Sequence, residues 1–244
     1  MNSLRRMLDV LGLFRADQPV IDIEIICRQL NYTPASAYRY VKELSDVGLL
    51  VRLPRGYAIG PRVIELDRHI TEHHPILTAS RDHVGSLVEQ TGLELLISEL
   101  YGSTVITIFD QMGIDKRTVQ FGRGKPMDLF RSATSRVILA YLLPRQLRRL
   151  YDQHLQEATH IAPTWKDFSK AMLAIRKAGY CVSRGELDPG MAGISAPIFD
   201  EKHRILGSLT LVGSSERFNA FHESFLANLV RTAAQQITAD IASQ

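Results

Sequence analysis

Cysteine is nearly absent from this 244-residue chain, with Cys27 and Cys181 the only two. Their separation fits neither a disulfide framework nor a paired zinc knuckle, so both are expected to serve as small core hydrophobes. Long apolar runs are missing as well. The longest, Val137 to Leu143, is seven residues, well short of the ~18 that a membrane span needs. The opening Met1 to Arg6 lacks the apolar centre of a secretory signal, and the expectation is a cytoplasmic protein that makes no use of a membrane. Internal repeats and low-complexity tracts are also missing. Charge of one sign is in only slight excess, 29 Lys and Arg against 26 Asp and Glu, which permits a nucleic-acid partner without requiring one. Apolar residues make up 45% of the chain, enough for one large core or two modest ones.

The small basic excess is unevenly spread. Between Arg28 and Arg62 there are six basic residues (Arg28, Arg39, Lys42, Arg52, Arg55, Arg62) against two acidic ones, Glu43 and Asp46. Helical periodicity runs through the same region. Leu4, Met7, Leu8, Leu11 and Phe14 space out a helix over residues 4–15, with Ser3 as its cap and Asp17-Gln18-Pro19 as its stop. Asp22 caps a second helix, residues 23–30, whose inward stripe is Ile23, Ile26, Cys27 and Leu30. Thr33 followed by Pro34 opens a third, with Ala37, Val41, Leu44 and Val47 turned inward and Gly48 as the stop. Two short apolar runs around Pro54-Arg55-Gly56 read as a β-hairpin. A further helix, opened by Pro61 and carrying Val63, Leu66 and Ile70, runs into His73-His74-Pro75, where a boundary is expected.

Beyond it the pattern mixes helices and strands. Helices are expected over residues 76–90, 132–142, 165–178 and 221–241, and strands over 93–100, 104–111, 118–121, 180–184, 194–199 and 205–212, with 122–126 as a loop. Strands in sequential pairs with helices outside the sheet indicate an α+β sensor-type domain.

Three helices and a hairpin make the plan of a winged helix-turn-helix, whose third helix must be packed on one side so that the other can enter a major groove. Thr33, Ser36, Tyr38, Arg39, Lys42 and Glu43 lie away from the inward stripe. Arg39 has the fork that suits guanine edges or phosphate, and Ser36 and Tyr38 bring hydroxyls. Arg52, Arg55 and Tyr57 sit on the hairpin, and Arg5 on the first helix completes the set of expected DNA contacts. A three-helix packing unit with an ordinary solvated face is the alternative reading of the same residues.

The residues also carry a resemblance. The segment Thr33 to Gly48 with Tyr57-Ala-Ile-Gly60 resembles the DNA-binding end of IclR-family transcriptional regulators. Ala178 to Gly190, Ile194 to Asp200, and Pro126 with Ala133 to Ala140 resemble that family's effector domain, in the expected order. The resemblance implies a winged helix-turn-helix domain at 1–60, a linker helix at 61–75, and an effector-binding, GAF-like domain at 76–244 with an antiparallel sheet flanked by helices. It also implies a homodimer, often a dimer of dimers, on a palindromic double-stranded DNA operator. A two-fold pair places two recognition helices about one DNA turn apart, roughly 34 to 36 Å.

Family pocket positions map onto Leu129, Ala133, Thr134, Ser135, Ser183, Gly193, Thr210 and Val212. The residues add their own argument. Ser132 precedes a nearly uncharged helix whose first N–H groups, with the hydroxyls of Ser132, Thr134 and Ser135, suit an anionic oxygen. Gly193 and Val212 are non-polar where a thiol or hydroxyl can occur in the family, and Met127, Leu129, Phe130 and Val212 lean toward an aromatic or bulkier organic acid.

Catalytic, metal and cofactor sites are not expected. Gly122 to Lys125 lacks P-loop spacing, and Gly193 to Pro197 has proline where a nucleophile elbow needs glycine. Glu186 and Asp188 read as acids solvating a Pro-Gly turn. His69 and His73 are four apart, a ligating spacing, but no third ligand is evident beside them. The expectation is therefore a ligand-responsive DNA-binding regulator, a repressor of a catabolic operon answering to a small organic acid, and not an enzyme. A small hydrolase using the C-terminal pocket, or a sensor acting through a protein partner, is the alternative.

Overall fold

The computed structural model describes residues 2–114, 122–154, 162 and 164–243. The chain divides into two compact units, Met1–His74 and Pro75–Gln244. No helix among the described residues is long and apolar enough to cross a membrane.

The N-terminal unit contains α1 (Ser3–Asp9), a 3₁₀ turn (Val10–Leu13), α2 (Ile23–Leu30), α3 (Pro34–Asp46), β1 (Leu50–Leu53), β2 (Gly56–Ile59) and α4 (Arg62–His73). The first helix differs from its sequence pattern. Asn2 caps it instead of Ser3, its Oδ1 accepting the Leu4 N–H at 3.0 Å. After Asp9 the coil tightens, so Val10 and Leu13 are buried while Leu4 and Leu8 remain exposed. A 3₁₀ turn advances three residues per turn, and this change of period turns a different pair inward from the one a continuous helix would present. Val10, Leu13, Ile21, Ile26, Tyr32, Ala37, Tyr40, Val41, Leu44 and Leu50 form the core of the unit. Val47, expected inward, is 59% exposed because α3 ends at Asp46 and Gly48, at φ +76°, redirects the chain.

The C-terminal unit contains α5 (Pro75–Thr91), β3 (Glu94–Tyr101), β4 (Thr104–Gln111), β5 (Pro126–Met127), α6 (Ala133–Tyr141), α7 (Pro144–Gln153), α8 (Trp165–Ala178), β6 (Cys181–Arg184), β7 (Met191–Phe199), β8 (Ile205–Ser214), α9 (Ser215–Asn219) and α10 (Glu223–Ala242). Its sheet is antiparallel with strand order β5-β4-β3-β8-β7-β6. The hairpins are sequential pairs, and the β3–β8 pairing, Leu95 opposite Leu211 and Leu96 opposite Thr210, joins them. β5 occupies part of the stretch expected as loop, and the strand expected at 118–121 lies outside the described residues. α7 and α9 were not expected, although Leu147, Leu150 and Tyr151, buried three and four apart, are the helical signal for α7.

Alternation along the strands fixes two different faces. Leu95, Ile97, Ile194, Ile198, Leu209 and Leu211 share a core with Ile76, Leu87, Leu226, Val230 and Ile237 of α5 and α10. The residues between them, Leu96, Ser98, Ser195, Ser208 and Thr210, are also buried, and most are small and hydroxylated. α6 and α8 belong to a second core with Val105, Phe130, Val137, Ile138 and Phe168, in which Phe130 and Phe168 meet edge-on at 5.7 Å.

Candidate nucleic-acid interface and effector cavity

The N-terminal candidate surface depends on the turn between α2 and α3. Asn31 adopts the left-handed conformation at φ +54° and closes α2, a conformation that Asn tolerates better than most residues. Thr33 then caps α3: its Oγ1 accepts the Ser36 N–H at 3.4 Å and donates to Ser36 Oγ at 3.0 Å. Ala37, Tyr40, Val41 and Leu44 are buried, and Tyr32 meets Tyr40 edge-on at 5.7 Å. Anchoring that stripe turns the other face out. Thr33, Tyr38, Arg39, Lys42 and Glu43 are exposed and Ser36 is half-buried. The Arg39 guanidinium lies 5.3 Å from the Tyr40 ring centroid, a cation–π contact that restrains it.

The hairpin pairs Leu50 with Ile59 and Leu53 with Gly56 across a two-residue turn, Pro54-Arg55. Arg52 and Arg55 are exposed, and Tyr57, opposite Arg52, is half-buried. Ile21 and Tyr57 exchange both main-chain hydrogen bonds, at 2.9 and 2.8 Å, which ties the hairpin to the helices. Gly56 is required there: a Cβ would lie 2.4 Å from the Ile21 carbonyl oxygen, at φ +145°. Arg5 is exposed on α1 and pairs with Asp9 at 3.3 Å; such an exposed pair holds it weakly.

In the C-terminal unit a small cavity, open at one side, lies at the start of α6 and against β3, β6, β7 and β8. Of the eight positions expected to line it, Ala133, Thr134, Ser183, Gly193, Thr210 and Val212 do. Leu129 and Ser135 are not among the lining residues. Leu129 belongs to the second core of this unit, and Ser135, fully buried, receives the Ser132 hydroxyl on its Oγ at 2.9 Å and donates its N–H to Ser132 Oγ at 3.0 Å. The same spacing that marks Ser135 as a polar helix-start residue marks it as the partner of the cap. The cavity also has lining that the sequence did not single out as such: Leu96, Gly185, Glu186, Leu187, Asp188 and Met191. These come mainly from the β6–β7 connection, whose path over the sheet no local periodicity encodes.

Two features set the chemistry of the cavity. A hydroxyl chain runs through its wall, Thr134 Oγ1 to Thr210 Oγ1 at 3.0 Å, Thr210 Oγ1 to Ser195 Oγ at 2.9 Å, and Ser195 Oγ donating to the Leu209 carbonyl at 3.3 Å. No lysine or arginine is among the described residues that line it. The acids of the β6–β7 connection are partly compensated, since Arg136 of α6 pairs with Glu186 at 2.9 Å and donates to the Val182 carbonyl at 3.1 Å. Cys181, close to Arg136, is buried, and burial pushes its thiol up to about 11, so it is a packing residue and not a nucleophile. Glu94 stands on the same face of β3 as Leu96 and opposite Val212. Burial, with Asp110 adding like charge, raises its carboxyl to about 7.

Comparison with known proteins adds lineage to this geometry. Residues 3–54 match the IclR helix-turn-helix domain, and residues 68–239 match the bacterial transcriptional regulator IclR C-terminal domain. The chain is 23% identical over 240 residues to the HTH-type transcriptional regulator KipR of Bacillus subtilis, covering 97% of this chain and 95% of that protein. It is 22% identical over 221 residues to the Pca operon regulatory protein of Acinetobacter baylyi, covering 88% and 80% of the two chains. Among solved structures, it resembles an IclR transcriptional regulator from Alicyclobacillus acidocaldarius, with TM-score 0.81, 20% identity and 98% of each chain covered. It also resembles an IclR homolog complexed with 4-hydroxybenzoate from Microbacterium hydrocarbonoxydans, with TM-score 0.81, 17% identity and 100% of each chain covered. With both domains matched in order, the second across more than half of its length, the chain belongs to the IclR family of transcriptional regulators, which are not enzymes.

Proposed function

We propose that this regulator binds a palindromic operator as a homodimer, or as a dimer of dimers, with α3 in the major groove and the β1–β2 hairpin against the backbone. In this reading Arg39 contacts a base edge, Thr33, Ser36, Tyr38 and Lys42 surround it, and Arg52, Arg55, Tyr57 and Arg5 hold phosphate or the minor groove. The observation that carries the reading is the outward face of α3, where Tyr38, Arg39 and Lys42 are exposed while Ala37, Val41 and Leu44 anchor the helix from behind. Pairing is supported by the apolar side chains left exposed in the same unit, Leu4 and Leu8 on α1 and Ile64, Leu66 and Ile70 on α4.

The controlling ligand is a small organic acid, bound with its carboxylate at the start of α6 and its apolar body against Leu96, Met127, Leu187, Met191 and Val212. The first N–H groups of a helix attract anions without any lysine or arginine, and Ser132, Ala133 and Thr134 place that end at the cavity. The apolar lining favours an aromatic acid, in keeping with the 4-hydroxybenzoate bound in the Microbacterium homolog. The protein acts in the cytoplasm as a repressor of a catabolic operon. The acid releases it by binding one arrangement of the paired DNA-binding units more tightly than another, since equal affinity for both would shift nothing.

Fluorescence anisotropy with DNA from upstream of its own gene tests both halves. Binding should weaken steeply with salt, and Arg39→Ala should cost about 1 to 3 kcal/mol and relax sequence preference. 4-Hydroxybenzoate should lower operator affinity, whereas its neutral amide should not. Unchanged affinity in Arg39→Ala removes it from the contact set, and an equal response to the amide overturns the acid.

A further inference from the structure

We propose that α4 carries a binding site for one divalent ion of the kind that favours imidazole, such as Zn²⁺, Ni²⁺ or Cu²⁺, formed by His69, Glu72 and His73. The spacing is the first argument. Residues three and four apart share one face of a helix, so Glu72 and His73 stand one turn along from His69. The structure brings them together: one ligand atom from each lies within 4.8 Å of the others, and all three side chains are exposed. The two imidazoles already lie near parallel, with centroids 6.1 Å apart and planes at 18°. Glu72 is the third ligand that the histidine spacing by itself left wanting.

The geometry needs little change. A metal with bonds of about 2.0 to 2.1 Å holds its ligand atoms about 3 to 4 Å apart, so rotation of these side chains closes the cluster while the helical backbone stays in place. Two imidazoles and one carboxylate form a set that prefers the late first-row metals to Mg²⁺ or Ca²⁺, and the positions left over would hold water. Two interactions must adjust. Glu72 accepts from Arg68 Nε at 2.7 Å, an exposed pair that loses little on yielding its carboxylate to a metal. Arg68 also brings a positive charge near the ion, offset by Glu65, which is one turn before His69 on the same face and pairs with Arg62.

The consequence concerns α4 itself. The three donors meet only while this turn is helical, so the ion binds the helix and not the frayed chain, and its binding free energy becomes helix stability. Packing within the single chain does not do this already, since α4 has no buried residue there.

The test uses the full chain without an affinity tag, freed of metal by dialysis against chelator, and titrated with NiCl₂ or ZnCl₂ in a calorimeter. The wild type should take up one equivalent per chain. His69→Ala and His73→Ala should each weaken it by at least the roughly tenfold that even outer-shell changes typically cost, and Glu72→Gln should weaken it less. His203→Ala, far along the chain, should leave it unaltered. Cu²⁺ should give an electron paramagnetic resonance spectrum with nitrogen couplings from two imidazoles, reduced to one in either histidine variant. All substituted side chains are exposed, and circular dichroism verifies folding. Retention of the site in the His69→Ala/His73→Ala double variant, or no uptake by the wild type below millimolar metal, overturns the proposal.

Discussion

Replacing Glu94 with Gln should stabilise the C-terminal unit above neutral pH and do progressively less below it. The carboxyl sits at the start of β3, only 7% exposed, and burial together with Asp110 raises it from the ordinary 4.5 to about 7. A carboxyl whose folded-state value is raised keeps its proton in the folded protein where the unfolded chain has lost it. Stability from this group is therefore complete below about pH 4.5 and is lost as pH rises toward and through 7. Raising the carboxyl from 4.5 to about 7 corresponds to at most about 3 kcal/mol. With that as the ceiling, about 1 to 3 kcal/mol is the expected contribution. Glutamine is close in shape and cannot ionise, so the stability difference between variant and wild type should widen in favour of the variant by that amount between pH 5 and pH 8. For a unit of this size it amounts to a relative shift in melting temperature of about 2 to 10 °C. Paired thermal melts at pH 5, 6, 7 and 8 check it, and subtracting the two curves cancels the titration of the eight histidines. A difference that stays constant across this range would refute the reasoning, because it would place the Glu94 carboxyl at its ordinary value in the fold.

How much of this was legible beforehand depended on the range of the interactions involved. α3, its cap at Thr33, the stop at Gly48 and the hairpin turn are local: each is fixed by residues within a few positions, and the outward set Tyr38, Arg39 and Lys42 follows from the inward one. Val47 escaped because the helix stopped one residue earlier than its apolar spacing suggested, and Leu4 and Leu8 because the 3₁₀ turn broke the register. Six of the family's eight positions border one cavity, with Thr134 and Thr210 lying 76 residues apart yet 3.0 Å between hydroxyls. Leu129 and Ser135 are not among its lining residues, since a buried neighbour position and a lining position differ by one step around α6 or its approach. Leu187 and Asp188 reach the cavity through the β6–β7 connection, set by strand pairing across the sheet and not by the residues of that loop.

Gly56→Ala should destabilise the N-terminal unit by about 1 to 3 kcal/mol or more, seen as a lower melting transition, since the methyl meets the Ile21 oxygen at 2.4 Å and φ is +145°; an unchanged transition would mean the hairpin relaxes freely. Lys42→Ala and Arg55→Ala should each flatten the salt dependence of DNA binding by about one unit of slope while weakening all sequences alike; a loss confined to one sequence would make them base contacts. The hydroxyl chain in the cavity wall gives the last prediction. Thr210→Val keeps the shape but strands the Thr134 hydroxyl, which is 2% exposed and relies on Thr210 at 3.0 Å, at a cost of about 1 to 3 kcal/mol. Thr134→Val strands less, because Thr210 still reaches Ser195 at 2.9 Å. Removing both hydroxyls leaves neither stranded by the other, so the double variant should be less destabilised than the two single effects added, with a coupling of about 0.5 to 3 kcal/mol by urea denaturation. Strict additivity would mean that water already satisfies Thr134 from the cavity, and the wall would then be a hydrated surface that a ligand must strip before it binds.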